Sequence, residues 1–270
     1  MRTVQIENLR PHEILEEQSR RNLIYLPIGP LEWHGPAMPL GTDPIAAEAA
    51  ARKAAEITGG VVMPTLYCGT EREREPKILS AIGFEDPTQY ICGQDFPENS
   101  MRSFYTKEDM FSVIVREYLR LLVNQGYHLI VIVNGHGARN QKYQLDRLAV
   151  EISNETDSHV LIAMALASLD EGDHDMGHAT RMETSIQMSV NPENVDLNQL
   201  PPKTEKLKNC DWGIVDGTTF DLKPNEDRTV IYDPRDATEE IGNHYLKNGT
   251  AALIEQVTDR WNHLFPDNMI

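Results

Sequence analysis

Short unbroken apolar runs alternate along the chain with longer stretches whose apolar positions recur at helical spacing, so the pattern reads as strands feeding helices. Residues 22–28 predict a strand. Residues 43–57 are alanine-rich, opened by Asp43-Pro44 as N-cap and first-turn residue and stopped by Gly59-Gly60, and predict a helix. A second strand is expected over 61–67. Thr106 with Asp109 three residues on begins an amphipathic helix carrying Val113, Ile114, Leu121 and Leu122, which ends at Gly126. The run Leu129-Ile-Val-Ile-Val133 is β-branched and without a polar position, as in a strand covered on both faces of a parallel sheet. A helix over 140–154, a strand over 160–165, and helices over 184–190 and 237–261 complete the pattern. The fold class is α/β with a mainly parallel sheet, in one domain over 1–270, without internal repeats.

Chemistry collects where these strands end. Directly after the first strand comes Leu31-Glu-Trp-His-Gly, with Asp43 a short way on, so Glu32, His34 and Asp43 place two carboxylates and an imidazole together. Such oxygen and nitrogen donors suit Zn²⁺, Mn²⁺ or Fe²⁺. In extended chain Glu32 and His34 point the same way. The bland alternatives are a strand-end acid beside a surface histidine, and an Asp43 that merely caps its helix. The Leu129 strand empties into Asn134-Gly-His-Gly-Ala-Arg-Asn140, and ligands of open α/β sheets bind outside the carboxyl ends of strands, so His136 can converge on the first group. Gly135 and Gly137 allow a sharp turn and a close approach. A third segment, 177–185, adds His178 and Glu183, five residues apart and only loosely on one face if the segment is helical.

Taken together, E-W-H-G with a following T-D, then N-G-H-G, then H-x-x-x-x-E-T-S resemble the creatininase (creatinine amidohydrolase) family over about residues 23–190. The resemblance implies a three-layer α/β/α sandwich and two divalent ions. Glu32, Asp43 and His136 would hold one, His34, Asp43 and an acid the other, with Asp43 bridging. Creatininase proper has a carboxylate two residues after the N-G-H histidine; here that position is Ala138, so Glu183 is assigned as the missing acid. Gly177 likewise stands where creatininase has an acid. The implied reaction is metal-assisted hydrolysis: hydroxide from a bridging water attacks a carbonyl of a small ring, and His178 moves a proton to the leaving group. The ring is a cyclic amide or an oxidised cyclitol. The alternatives are carbon–carbon hydrolysis of a cyclic diketone such as 3-dehydro-scyllo-inosose, and a metal-stabilised small-molecule binding protein without catalysis. Family members form closed homo-oligomers, often hexamers, and the same is expected here.

Charge narrows the partners. Against 25 Lys and Arg stand 42 Asp and Glu, a net charge of −17, which opposes binding to nucleic acid or anionic membrane. Cys68, Cys92 and Cys210 form no C-x-x-C pair, and no signal core or spanning apolar run is visible, so a cytoplasmic location is expected. Cys68 reads as a small hydrophobe rather than a nucleophile. His12, His128, His159, His244 and His263 read as structural. Asn134 and Asn140 are expected to brace the His136 loop. Two long irregular stretches, 69–105 and 191–236, predict lids or subunit contacts. The run Glu71-Arg-Glu-Arg-Glu75 reads as a solvated charged face, and Asp170, Glu171, Asp173 and His174 as substrate-binding candidates.

Overall fold

The computed structural model describes residues 2–93, 95–166, 177–208 and 233–270. Strand β1 (Leu23–Gly29) lies at the centre of a parallel sheet. On one side it pairs with β4 (Leu129–Asn134), in register Leu23↔Leu129 to Ile28↔Asn134, and β4 pairs in turn with β5 (His159–Met164). On the other side lie β2 (Val61–Val62) and β3 (Leu66–Tyr67), both parallel to β1. The strand expected over 61–67 is thus two short pieces. Pro64, which has no N–H to give the ladder, falls between them.

Side chains alternate across the sheet and both faces are covered. Leu23, Tyr25, Leu129, Val131 and Val133 face one core, with the helices α2 (Thr42–Thr58), α6 (Arg181–Val190) and α7 (Glu239–Leu264). Ile24, Leu26, Ile28, Ile130 and Ile132 face the other, with α4 (Glu108–Asn124) and α5 (Arg139–Glu155). The three-layer α/β/α arrangement is therefore present. Burial of each such aliphatic side chain contributes roughly 1.5–3 kcal/mol, which anchors the strand ends that carry the site. Ala46, Ala47, Ala50, Ala51, Ala54 and Ala55 form the buried stripe of α2, and their small size lets that helix lie close to the sheet.

Two helices have no counterpart in the sequence pattern. These are α1 (Pro11–Arg20), a charged helix closed by Glu13 bonding back to Arg10, and α3 (Pro76–Ala81), inside the stretch read as irregular. Thr106 does not cap α4, whose N-cap is Lys107; the Thr106 hydroxyl instead meets the Cys68 sulfur at 3.5 Å. Cys68 is buried, and burial pushes its thiol pKa up, as befits a small hydrophobe. Asp170, Glu171, Asp173, His174 and Cys210 lie outside the described residues. No helix among the described residues is long and apolar enough to cross a membrane.

Candidate metal centre

Because β1, β4 and β5 are parallel, their carboxyl ends open on one edge of the sheet, and the three motifs follow from those ends. Glycine makes the convergence possible. A Cβ on Gly135 would stand 2.2 Å from the Asp43 carbonyl oxygen, and one on Gly29 would stand 2.9 Å from the Pro44 ring. The His136 loop therefore packs directly on the first turn of α2. Gly137 has no such constraint: nothing lies within 4 Å of its Cβ position. Asn134 braces the loop from within, its amide donating to the His136 carbonyl at 2.7 Å and its oxygen accepting from the Gln141 side chain at 2.8 Å. Asn140 instead donates to Glu108 on α4 at 3.1 Å.

Asp43 is not a cap. The N-cap of α2 is Gly41, and the Asp43 carboxylate, 4% exposed, divides its oxygens between two histidines. Oδ2 lies 2.9 Å from His136 Nδ1 and Oδ1 lies 3.2 Å from His34 Nε2. An acid completes each side. Glu32 Oε2 is 3.0 Å from His136 Nδ1, and Glu183 Oε2 is 3.7 Å from His34 Nε2. The sets Glu32–Asp43–His136 and His34–Asp43–Glu183 each bring their donor atoms within 4.8 Å of one another, and so does Glu32–His34–His178.

The donors fit divalent ions. Two donors bound at about 2.1 Å in a tetrahedral spread stand about 3.4 Å apart, within the range of 2.9 to 3.7 Å found for the histidine–carboxylate pairs. Glu32 Oε2 and His34 Nε2 are buried and without a well-formed hydrogen bond among the described residues, a costly state for polar atoms unless something else satisfies them. His34 Nδ1 is 3.0 Å from the Glu32 carbonyl, which fixes the proton there and leaves Nε2 as the lone-pair nitrogen.

Charge in this cluster is strongly redistributed. Burial alone would raise Glu32 and Asp43, but the facing imidazoles reverse this and hold both below the usual carboxylate range. Burial disfavours the charged form of His34, yet Asp43 and then Glu183 lift its pKa to about 10. His136 rises well above its ordinary value because Glu32 and Asp43 outweigh its burial. Glu183 is raised to about 8 by burial and by the neighbouring carboxylates, against the pull of His34. His178 is lowered to about 3, chiefly by burial.

His178 and Glu183 do not share a helix: α6 begins at Arg181, and Glu183 reaches back from its first turn to accept from the Ala179 N–H. Ala179 has φ of 53°, in the left-handed region, and this turn sets His178 over the site. The His178 Nε2 donates to the Trp33 carbonyl at 2.6 Å, Nδ1 lies 3.4 Å from Glu32 Oε1, and the ring packs on His34 with centroids 4.2 Å apart.

A cavity of about 650 Å³ opens onto this cluster, lined by Glu32, Asp43, His136, His178 and Glu183, with His34 beneath them. Ala138 lies in its wall, so the position that lacks the family carboxylate is at the site. Two features escaped the sequence reading. Tyr105, in a loop without periodicity, donates its hydroxyl to Glu32 Oε1 at 2.5 Å. The charged run is not wholly a solvated face either: Arg74 is buried and lies over the Phe96 ring, 4.9 Å from its centroid, while Glu71, Arg72 and Glu73 line the cavity. The presence of an aromatic ring and a backbone acceptor, the Gly93 carbonyl, allows the Arg74 guanidinium inside.

Comparison with known proteins places these features in a family. Residues 7–257 match the family model Creatininase, described as creatinine amidohydrolase. Three solved structures share the fold. A creatininase designated Mn is 20% identical, with 98% of this chain and 99% of that chain covered and a TM-score of 0.65. A creatinine amidohydrolase (creatininase) crystal structure is 20% identical over 98% and 99%, at 0.66. A mutant creatininase of Zn-Zn type is 21% identical over 98% and 99%, at 0.64. A search of curated proteins found no match to the sequence. The family match over residues 7–257, together with the three-layer parallel fold, establishes that the chain belongs to the creatininase family of metal-dependent hydrolases.

Proposed function

We propose that this protein is a dinuclear metal hydrolase that opens a small cyclic substrate, a cyclic amide or an oxidised cyclitol. The observation that carries the reading is Asp43, whose two oxygens face His136 and His34 separately, each histidine having its own acid beyond. Glu32, Asp43 and His136 would hold one ion; His34, Asp43 and Glu183 would hold the other. Zn²⁺, Mn²⁺ and Fe²⁺ all accept this nitrogen and oxygen set. Ions so held would acidify a water and polarise a carbonyl.

The protein's own groups do the rest. His178 donates through Nε2 to the Trp33 carbonyl, so its lone pair is on Nδ1. His178 is neutral at pH 7, and Nδ1 is the atom through which it would carry a proton from the attacking water to the leaving group. The cavity admits a small molecule. Exposed Phe104 and Met101, 59% and 44% accessible, support closed homo-oligomers, a hexamer among them, through the 69–105 segment.

Elemental analysis of wild type against His136→Ala tests the centre: about two ions per chain are expected in the first and a clear loss in the second. Full occupancy and activity in His136→Ala would end the assignment. A panel of cyclic amides and oxidised cyclitols, assayed after metal reconstitution, then distinguishes amide from carbon–carbon cleavage. A second reading makes His178 a ligand with Glu32 and His34, favoured by the closeness of those three donor atoms. Metal retention in His178→Ala separates the two.

A further inference from the structure

The geometry points to Tyr105 as a positioning residue: by occupying Glu32 Oε1, its hydroxyl leaves only Oε2 to be offered toward His136 and Asp43. The inference rests on the two-ion reading above, and it assigns to the 69–105 segment a task inside the site rather than at its rim.

Tyr105 is brought to Glu32 by backbone. The segment returns to the sheet edge with Phe104 donating to the Leu31 carbonyl at 2.7 Å in an antiparallel bridge, and the Trp33 N–H donates to the Ser103 hydroxyl at 2.9 Å. Ser103 is itself fixed by Asp95, which accepts from both its N–H and its hydroxyl. Residues 103–105 therefore lie along 31–33, with Tyr105 reaching the side chain of Glu32. Gly93 makes room: at φ of +56°, a Cβ there would stand 2.7 Å from the Tyr105 hydroxyl.

The arrangement matters because a carboxylate can turn. Glu32 Oε1 accepts from the Tyr105 hydroxyl at 2.5 Å, while His178 Nδ1, 3.4 Å away, carries a lone pair and gives it no proton. Without the hydroxyl, Glu32 is free to turn both oxygens toward an ion. Tyr105 thus acts on Glu32, which belongs to the Glu32–Asp43–His136 set and not to the His34–Asp43–Glu183 set.

Tyr105→Phe keeps the ring and removes the hydroxyl. Zn²⁺ affinity measured by chelator competition in a Glu183→Gln background reads the Glu32 set, and in a His136→Ala background reads the other. The variant should weaken zinc about 10- to 100-fold in the first background, the usual effect of losing an outer-shell partner, and leave the second unchanged. Equal weakening in both would make Tyr105 a packing residue, and no weakening in either would remove its role. Circular dichroism and thermal melting confirm that each variant folds; if Tyr105→Phe does not, Ser103→Ala, which loosens the same segment, must give the same selective loss. Failure of the two-ion reading shows separately, as wild-type protein that binds fewer than two zinc ions per chain, and takes this inference with it.

Discussion

Loading the metal-free protein with zinc at pH 7.5 should release about two to three protons per chain, because the ions replace protons that the empty cluster holds. The count follows from the individual groups. With a pKa of about 10, His34 is protonated at pH 7.5, and His136, raised well above 6.5 by Glu32 and Asp43, is protonated as well. Both must give up a proton to bind metal. Glu183, at about 8, is mostly protonated and contributes most of a third. Calorimetric titration in buffers of different ionisation enthalpy measures the release directly, and His34→Ala should lower it by about one. Release of less than one proton from the wild type would refute the assignment of these imidazoles. The same shifts set the pH dependence of stability without metal. His34 is raised above its unfolded value of about 6.5, so its stabilisation is complete below that pH and is lost as pH rises toward 10. Raised Glu183 acts in the same direction between its unfolded value and about 8. The melting temperature of the metal-free protein should therefore fall from pH 6.5 to 10, and the gap to the loaded protein should widen.

Other variants report on individual parts. Glu183→Gln should weaken one ion while the ion at Glu32, Asp43 and His136 remains; two ions of unaltered affinity would require another acid. His178→Ala should keep both ions and reduce kcat by roughly 10²–10⁴, with little change in KM; parental kcat would make it structural. Gly135→Ala forces a methyl group toward the Asp43 carbonyl, so the loop must shift by about 1 Å, at a cost of roughly 1–3 kcal/mol in stability. Metal content should fall with it, as measured by elemental analysis, and full occupancy would show that the loop relaxes without moving His136. Light scattering should give a particle several times the 30.6 kDa chain, and a monomer at micromolar concentration would defeat the expected assembly.

The parts of this molecule that could be read from sequence are those whose signal is local. The 129–133 run has no polar position because both its faces are covered, and Glu32, His34 and His136 are conspicuous because they sit at strand ends among glycines. Asp43 was ambiguous for a physical reason: acid before proline at a helix start is what a cap looks like, and only the position of the histidines reveals its other use. Tyr105 and buried Arg74 were illegible. Their partners are Glu32 and the Phe96 ring, reached through a loop whose conformation depends on bridges such as Leu31↔Phe104 that no periodicity announces. Helix α1 escaped for a related reason, its buried surface being small and its charges many.

The donors of the centre come from positions as far apart as Glu32 and Glu183, and the contact of His178 with the Trp33 carbonyl spans 145 residues. During folding such a centre is finished late, since the parallel β1–β4 pairing and the docking of α6 must both precede it, and pairings of long sequence separation form slowly. An ion that binds only the finished centre then acts by mass action on the whole fold, adding about 2.7 kcal/mol when free metal is a hundredfold above its dissociation constant. Starving a cell of metal would thus lower the amount of this protein as well as its turnover, by exposing more of the chain to proteases before the centre closes.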